Sequence, residues 1–371
     1  MTQATRDRLG GRYWLLWTTS ATSNLADGLV KIALPLLVVA ATDSPVAVAT
    51  VSAALTLPWL ILSLPAGALA DRLDRRRVML VANLVRGAVL GALALTLLTG
   101  HGTIGVLYAA ALAAGSAEVL HDTAAQSIVP RLVPRALLGR ANARLMAGEL
   151  TANEFVGPPL GGALVALGAV VATAVPAALW LVAVGVLLLV RGSFRAEPGD
   201  PTTMRPTMRA DIRDGLRLLW HQPVLRALSA LTAGFNFASA GVVAVLFLGG
   251  PALTTEPLAV GAAAAIGGAG IALVTVVAVT LRQRVTPDAK LGRVIGAHRL
   301  LAWGTKPLGA AVAGVLAELL GLRAVFVVMA TLVLALLVLL RGLSESALQA
   351  AEGGGSGTPT GVQTHGEGPS E

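Results

Sequence analysis

The sequence predicts an all-α integral membrane bundle of about ten transmembrane helices, six plus four, with both termini on the cytoplasmic side (N-in, C-in). Three observations lead there. Ten apolar runs reach or approach the roughly 20 residues needed to cross a hydrocarbon core. Arginines gather in alternate connecting segments, the pattern that orients a multi-span chain. A block from the middle of the chain returns near its end, which points to two related halves. Composition agrees: 55% of the 371 residues are hydrophobic and 13% charged, about half the charge of a soluble domain.

The spans fall near 14–41, 46–66, 78–99, 103–123, 142–167, 171–191, 225–249, 258–280, 295–316 and 322–341. The basic segment Met1 to Arg12 leads into a long apolar run without a small-residue cleavage site, so the first span reads as retained, not as a removed signal peptide. Residues 1–191 form a six-helix N-terminal half. Residues 192–224, rich in Pro, Arg and Asp, form a cytoplasmic linker with a short amphipathic helix expected at 209–220. Residues 225–341 form a shortened C-terminal half of four helices. The Gly- and Ser-rich tail 342–371 cannot bury a core and is expected to be disordered.

Charge fixes the orientation. Arg6, Arg8 and Arg12, then Arg72, Arg75, Arg76 and Arg77, then Arg131, Arg135, Arg140 and Arg144 all fall on one side, as do the linker arginines and Arg282, Arg284, Lys290 and Arg293. The opposite side holds one, Arg323. Adding or removing one span would scramble this asymmetry. The net charge of +8 therefore reflects topology. Few aromatics interleave with the basic residues, so no nucleic-acid footprint is expected. With no cysteine, disulfides and thiolate metal sites are excluded.

Between the second and third runs lies Gly67-Ala-Leu-Ala-Asp71-Arg72-Leu-Asp74-Arg75-Arg76-Arg77. It resembles the signature loop of major facilitator superfamily transporters: Gly67, Asp71, Arg72, Arg75 and Arg76 match in spacing, and Asp74 stands where the family usually has Gly. The resemblance implies a major-facilitator-like bundle and a conformational latch in which Asp71 pairs with basic groups and helix ends. Read from charge alone, the loop is a topology signal.

Pro134, Leu138, Gly139 and Arg140 map onto Pro287, Leu291, Gly292 and Arg293, and Pro159-Leu160-Gly161 onto Pro307-Leu308-Gly309. In the first half three spans precede the span that leads into the repeated loop, and in the second half only one does, the run at 225–249. The counterparts of spans two and three, with their latch loop, are thus missing relative to the family's twelve, with the junction near Gly249 to Ala259. Asn24-Leu-Ala-Asp27-Gly28, Ala33-Leu-Pro35, Ala141-Asn142 and Gln283-Arg284-Val-Thr-Pro287 resemble the bacterial exporter branch that includes enterobactin-exporter-like and macrolide-efflux-like permeases. Gly157-Pro158-Pro159-Leu160-Gly161-Gly162 resembles the antiporter motif of export members, with Asn153 in place of a preceding Gly. The prolines should kink the fifth span and the glycines permit close crossing.

An ionisable side chain inside the bilayer costs about 3 kcal/mol or more, so it needs a partner or a purpose. Asp27 and Lys31 lie four apart on one face of the first span. They read equally as a neutralising pair or as a protonatable Asp27 tuned by Lys31. Glu118 and Asp122 share a face of the fourth span, with His121 beside them, and Glu149 and Glu154 point apart on the fifth. Asp27, Glu154 and Glu118 are the proton-coupling candidates. Asn24, Lys31, Arg86, Asn153 and Lys306 are the substrate-cavity candidates. Glu149 and Asp122 are expected nearer the inner end, beside Arg140, Arg144 or the latch loop.

No catalytic constellation, metal-ligand spacing or phosphate-binding Gly-Lys motif is present, so neither enzyme chemistry, metal, cofactor nor an ATP-driven pump is expected. The reading is a secondary transporter, proton-coupled, exporting a drug-like or siderophore-like small molecule across the cytoplasmic membrane. Its partners are substrate, protons and the lipid bilayer, with no nucleic acid and no oligomer required. The alternative is a transport-inactive shortened relative with a structural or interaction role.

Overall fold

The computed structural model describes residues 9–195, 207–253 and 275–321, with residues 324, 325, 327–329, 331, 332 and 335. The tail 342–371, the junction 249–259 beyond Leu253, most of the span at 258–280 and most of that at 322–341 lie outside the described residues.

The described structure is helical throughout. α1 (Gly11–Ala41) crosses first, and α2 (Pro45–Arg72) returns, capped by Ser44, whose side chain accepts from Ala47 N. Next come α3 (Arg75–Leu98) and α4 (Ile104–Leu132). Then follow α5 (Leu138–Glu149), a π-helical turn (Leu150–Val156) and α6 (Gly157–Leu167). α7 (Ala169–Leu188) completes the first half. α8 (Met208–His221) lies in the linker, followed by α9 (Pro223–Leu253), α10 (residues 275–285) and α11 (Leu291–Leu320). Among the described residues, α1, residues 46–72 of α2, α3, α4 and α7 are long and apolar enough to cross a membrane.

Several elements run past their apolar cores. α4 extends to Leu132, nine residues beyond the expected span, because Arg131 and the preceding polar turns find partners at its end. Just before the prolines, where a kink is expected, the helix makes a π turn. Pro158 and Pro159 have no N–H for the carbonyls of Glu154 and Phe155, so the ladder shifts register ahead of them.

The first half has two cores. One, around Leu34, Leu90, Leu107 and Trp180, lies at the end reached by α1's C-terminal half. The other, around Tyr13, Met79, Ile128 and Leu187, lies at the end bearing Asp71, called here the latch end. α3 packs on α4 and α7, whereas α2 packs on α4 and, across the halves, on α11.

The internal repeat is geometric as well as textual. Pro134 and Pro287 each lead through a three-residue 3-10 turn, Arg135–Leu137 and Asp288–Lys290, into a helix starting at Leu138 and Leu291. Gly161 sits against the backbone of Leu29 in α1, and its counterpart Gly309 against the backbone of Phe237 in α9.

Candidate functional site

Bare backbone brings the halves together at the latch end. Ser63 and Gly67 on α2 face Gly292 and Gly296 on α11 so closely that a methyl group on any of these glycines would strike the opposite main chain. Small residues spaced four apart make such a crossing possible. One turn on, Asp71 meets the first turn of α11. Its Oδ1 accepts from Gly292 N at 2.7 Å, and its Oδ2 from Arg293 N at 2.9 Å and Arg293 Nε at 3.2 Å. A helix N-terminus presents unpaired N–H groups and positive potential, so a carboxylate is well matched there.

Around Asp71 a wider charged seam ties the halves. Arg75, fully buried, donates to Ser127 O (2.7 Å), to Asp288 Oδ1 (2.7 Å) and to Asp288 O (2.8 Å). Arg131 adds a 2.6 Å bond to Asp288 Oδ2. Burial raises the carboxyl of Asp288, but Arg131 and Arg75 outweigh it and hold the group below the usual carboxylate range. Arg76 turns away from the seam and donates to Leu187 O and Leu188 O at the end of α7.

The linker helix takes part. Asp211, 2% exposed, accepts from Arg72 Nε at 2.6 Å and pairs with Arg293 at 3.0 Å. Asp214 pairs with Arg293 (3.1 Å) and Lys290 (3.0 Å). Gly215 lets α8 lie against Arg293. In the sequence these aspartates read only as part of the linker's composition and were given no role, although their spacing near the start of an amphipathic helix was a usable signal.

On the other side of the latch end a cluster of side-chain amides joins the halves. Asn142 Nδ2 donates to Thr280 Oγ1 (2.9 Å) and Gln283 Oε1 (2.7 Å), and Gln283 Nε2 donates to Gln126 O (2.9 Å). α10 therefore contacts α4 and α5 directly.

Mid-bundle, the ionisable residues pair between helices. Asp27 and Lys31 do not pair with each other. Asp27 takes Arg86 of α3 at 3.2 Å, and Lys31 donates to Glu154 Oε1 at 2.6 Å, both groups about half exposed. Arg86 is fully buried within the first half, donates to Ser23 Oγ at 3.0 Å and lies 5.4 Å over the Trp180 ring. Its burial separates it from any open cavity. Glu118 lies close enough to Asp27, Arg86 and Asp122 to feel their charges.

Asp122 contacts neither Arg140, Arg144 nor the latch loop. It meets His121 at 3.2 Å and reaches Arg299 of α11 at 3.8 Å, a Coulombic pair without a hydrogen bond. Arg299 lies 4.6 Å over Trp59, which stacks on Trp303, while Arg144 lies over Trp14. Arg299 was legible in principle, since it falls inside an apolar run where every ionisable group is a candidate.

These groups frame a chamber of about 60 Å³, room for a few waters, bordered by Asn24, Asp122, Asn142, Glu149 and Arg299. Asn24 is buried there and donates to Ser20 O. The backbone of Asn153, in the π turn, touches Gly28 of α1, and Gly157 packs on the same glycine. The side chain of Lys306 lies outside the described residues. Among the described residues no group of three His, Asp or Glu is placed to hold a metal ion.

Comparison with known proteins gives this arrangement a family. The transmembrane secretion effector family model matches residues 11–302. The multidrug efflux pump Tap of Mycolicibacterium fortuitum is 27% identical, with 85% of this chain and 91% of that protein covered. Tap of Mycobacterium tuberculosis is 28% identical, with 86% and 90% covered. Among solved structures, the human organic anion transporter MFSD10 (TETRAN) matches with a TM-score of 0.64 at 14% identity, covering 92% of this chain and 100% of that one. A bacterial homologue of the iron transporter ferroportin, in an outward-facing state, matches at 0.58 and 15% identity, with 89% and 98% covered. The chain belongs to the transmembrane secretion effector family of the major facilitator superfamily and is a multi-pass cell-membrane transport protein.

Proposed function

We propose that this protein is a proton-coupled exporter of small, drug-like molecules, working as a ten-span, N-in and C-in permease. The observation that carries the reading is the closure of one end by Asp71 on the α11 N-terminus, while the Lys31–Glu154 pair stays half exposed. A bundle sealed at one end and accessible beyond it is one state of an alternating-access cycle. The efflux role of the Tap relatives supports export. The paired turns after Pro134 and Pro287 support two halves of common plan. The 377-position alignment with Tap covers 85% of this chain, leaving about sixty positions without a counterpart here, enough for two spans and their loops.

In this reading Asp27 is the first proton site: protonation would release it from Arg86 and loosen α1 from α3. Glu154, released from Lys31, is the rival, and Glu118 the third candidate. Asn24, Asn153 and Lys31 contribute to the substrate path, and Asp71 with Gly67, Arg72, Arg75 and Arg76 forms the latch. Gly157, Pro158, Gly161 and Gly162 shape the antiporter-like kink.

The test is drug accumulation in inverted vesicles energised by a proton gradient. Asp27→Asn should abolish gradient-driven accumulation while sparing drug binding, and Glu154→Gln should retain it. Asp71→Asn should insert normally but lose charge-assisted bonds worth roughly 1.5–3 kcal/mol, slowing transport about tenfold or more. Normal export by Asp27→Asn with loss in Glu154→Gln would move the proton site to the fifth crossing. A parent protein that moves no compound would favour the inactive, structural reading.

A further inference from the structure

A second, much larger concavity faces away from the chamber. It is a groove of about 780 Å³ on the outer flank of α2, α3 and α4 at the latch end. It exists because α2 and α3, although consecutive, barely touch and both pack on α4. The facing α4 residues Ala113, Ser116 and Ala117 are small, so the floor is deep. Val78, Val81 and Val85 form an apolar wall along about 10 Å of α3.

The mouth has the opposite character. Arg77 and Arg195 stand there exposed, and neither guanidinium has a protein partner among the described residues. The nearby acid, Asp74, is already occupied: it accepts from Arg77 N (3.1 Å), Phe194 N (2.8 Å) and Ser193 Oγ (3.3 Å). Two free cations therefore face one satisfied carboxylate at the water boundary, above an apolar slot that runs into the hydrocarbon.

We propose that this groove is a binding site for an anionic phospholipid, its phosphate held by Arg77 and Arg195 and one acyl chain lying between α2 and α3. A basic, forked donor set at the head-group level suits a phosphodiester, and the slot suits a hydrocarbon chain. A zwitterionic lipid gains less, because its own ammonium offsets the phosphate. A free phosphate gains nothing from the valine wall. The site is independent of the proton pathway, since neither arginine contacts the Asp71 closure or the chamber.

Native mass spectrometry of the full chain, delipidated and then exposed to phosphatidylglycerol, phosphatidylcholine or glycerol phosphate, tests this. One phosphatidylglycerol per chain should survive collisional activation, with phosphatidylcholine retained at least tenfold less. The double variant Arg77→Gln/Arg195→Gln should lose that adduct about tenfold. Ser116→Phe, which fills the floor without altering charge, should lose it as well. Excess glycerol phosphate should leave the lipid in place. Equal retention of the two lipids by the parent would overturn the proposal, as would an adduct unchanged in both variants. Displacement by glycerol phosphate would reduce the site to a small-anion patch.

Discussion

Asp74 stands where related loops carry glycine, and its side chain explains how the position is used here. One oxygen caps α3 by accepting from Arg77 N, and the other fastens the segment after α7 through Phe194 N. Asp288 poses a different question, one of titration. Its carboxyl is held below the ordinary range near 4, so its bonds to Arg75 and Arg131 form above that range and are lost as pH falls through the depressed value. The contribution of Asp288 to cross-linking between the halves at the latch end should therefore be constant from pH 8 down to about 5, and Asp288→Asn should lower cross-linking across that window. A loss centred between pH 6 and 7 in the parent would assign the titration to another group. Asp71 was legible through the resemblance of its loop to the family's signature, which Gly67, Asp71, Arg72, Arg75 and Arg76 match in spacing. The Asp27–Lys31 reading went differently, because a four-residue interval reports only neighbours on one helix. Arg86 and Glu154, on other helices, compete for the same charges, and sequence separation carries no trace of that.

At the level of elements, the helical character of the described segments followed from their apolar runs, but the ends did not. α4 outruns its apolar stretch by nine residues because partners from the second half satisfy its polar last turns. The π turn likewise reflects two adjacent prolines acting on the preceding carbonyls, a register effect that composition does not display. Neighbouring glycines in α6 give a sharp contrast. A methyl group at Gly161 would lie 2.7 Å from Leu29 O, whereas one at Gly162 would meet nothing within 4 Å. Gly161→Ala should destabilise the protein by roughly 1–3 kcal/mol through forced separation of α1 and α6. Gly162→Ala should be neutral or slightly stabilising, about 0.4–1 kcal/mol, from the stiffer unfolded chain. Thermal unfolding in one detergent checks both, and equal losses would remove the close-crossing explanation.

For the whole molecule, orientation remains the firmest sequence-derived expectation. Ser193 donates to Asp74 at 3.3 Å, so it shares the latch end with the arginine-rich loop. A cysteine placed at Ser193 in this cysteine-free chain should react with an impermeant maleimide in inverted vesicles and stay unlabelled in intact cells. Labelling from outside would invert the topology and, with it, the direction of transport.

The two seams at that end also differ in how they can part. On the α2–α11 side, separation must strip Asp71 from a helix terminus, break Asp288 from Arg75 and Arg131, and part Asp211 from either Arg72 or Arg293. Beside α5, the bonds between the halves include those of Asn142 and Gln283, which water replaces at about 0.5–1.5 kcal/mol each, and a long 3.5 Å bond from Arg284 to Arg135 O. The charged side then behaves as a hinge and the amide side as the leaf of a door, gaping first next to Met146 and Glu149. Spin labels spanning α5 and α10 should move farther apart on opening than labels spanning α2 and α11, and equal displacement would indicate symmetric rocking. In the proposed export direction, a cargo molecule would then enter along α5, with the latch behind it.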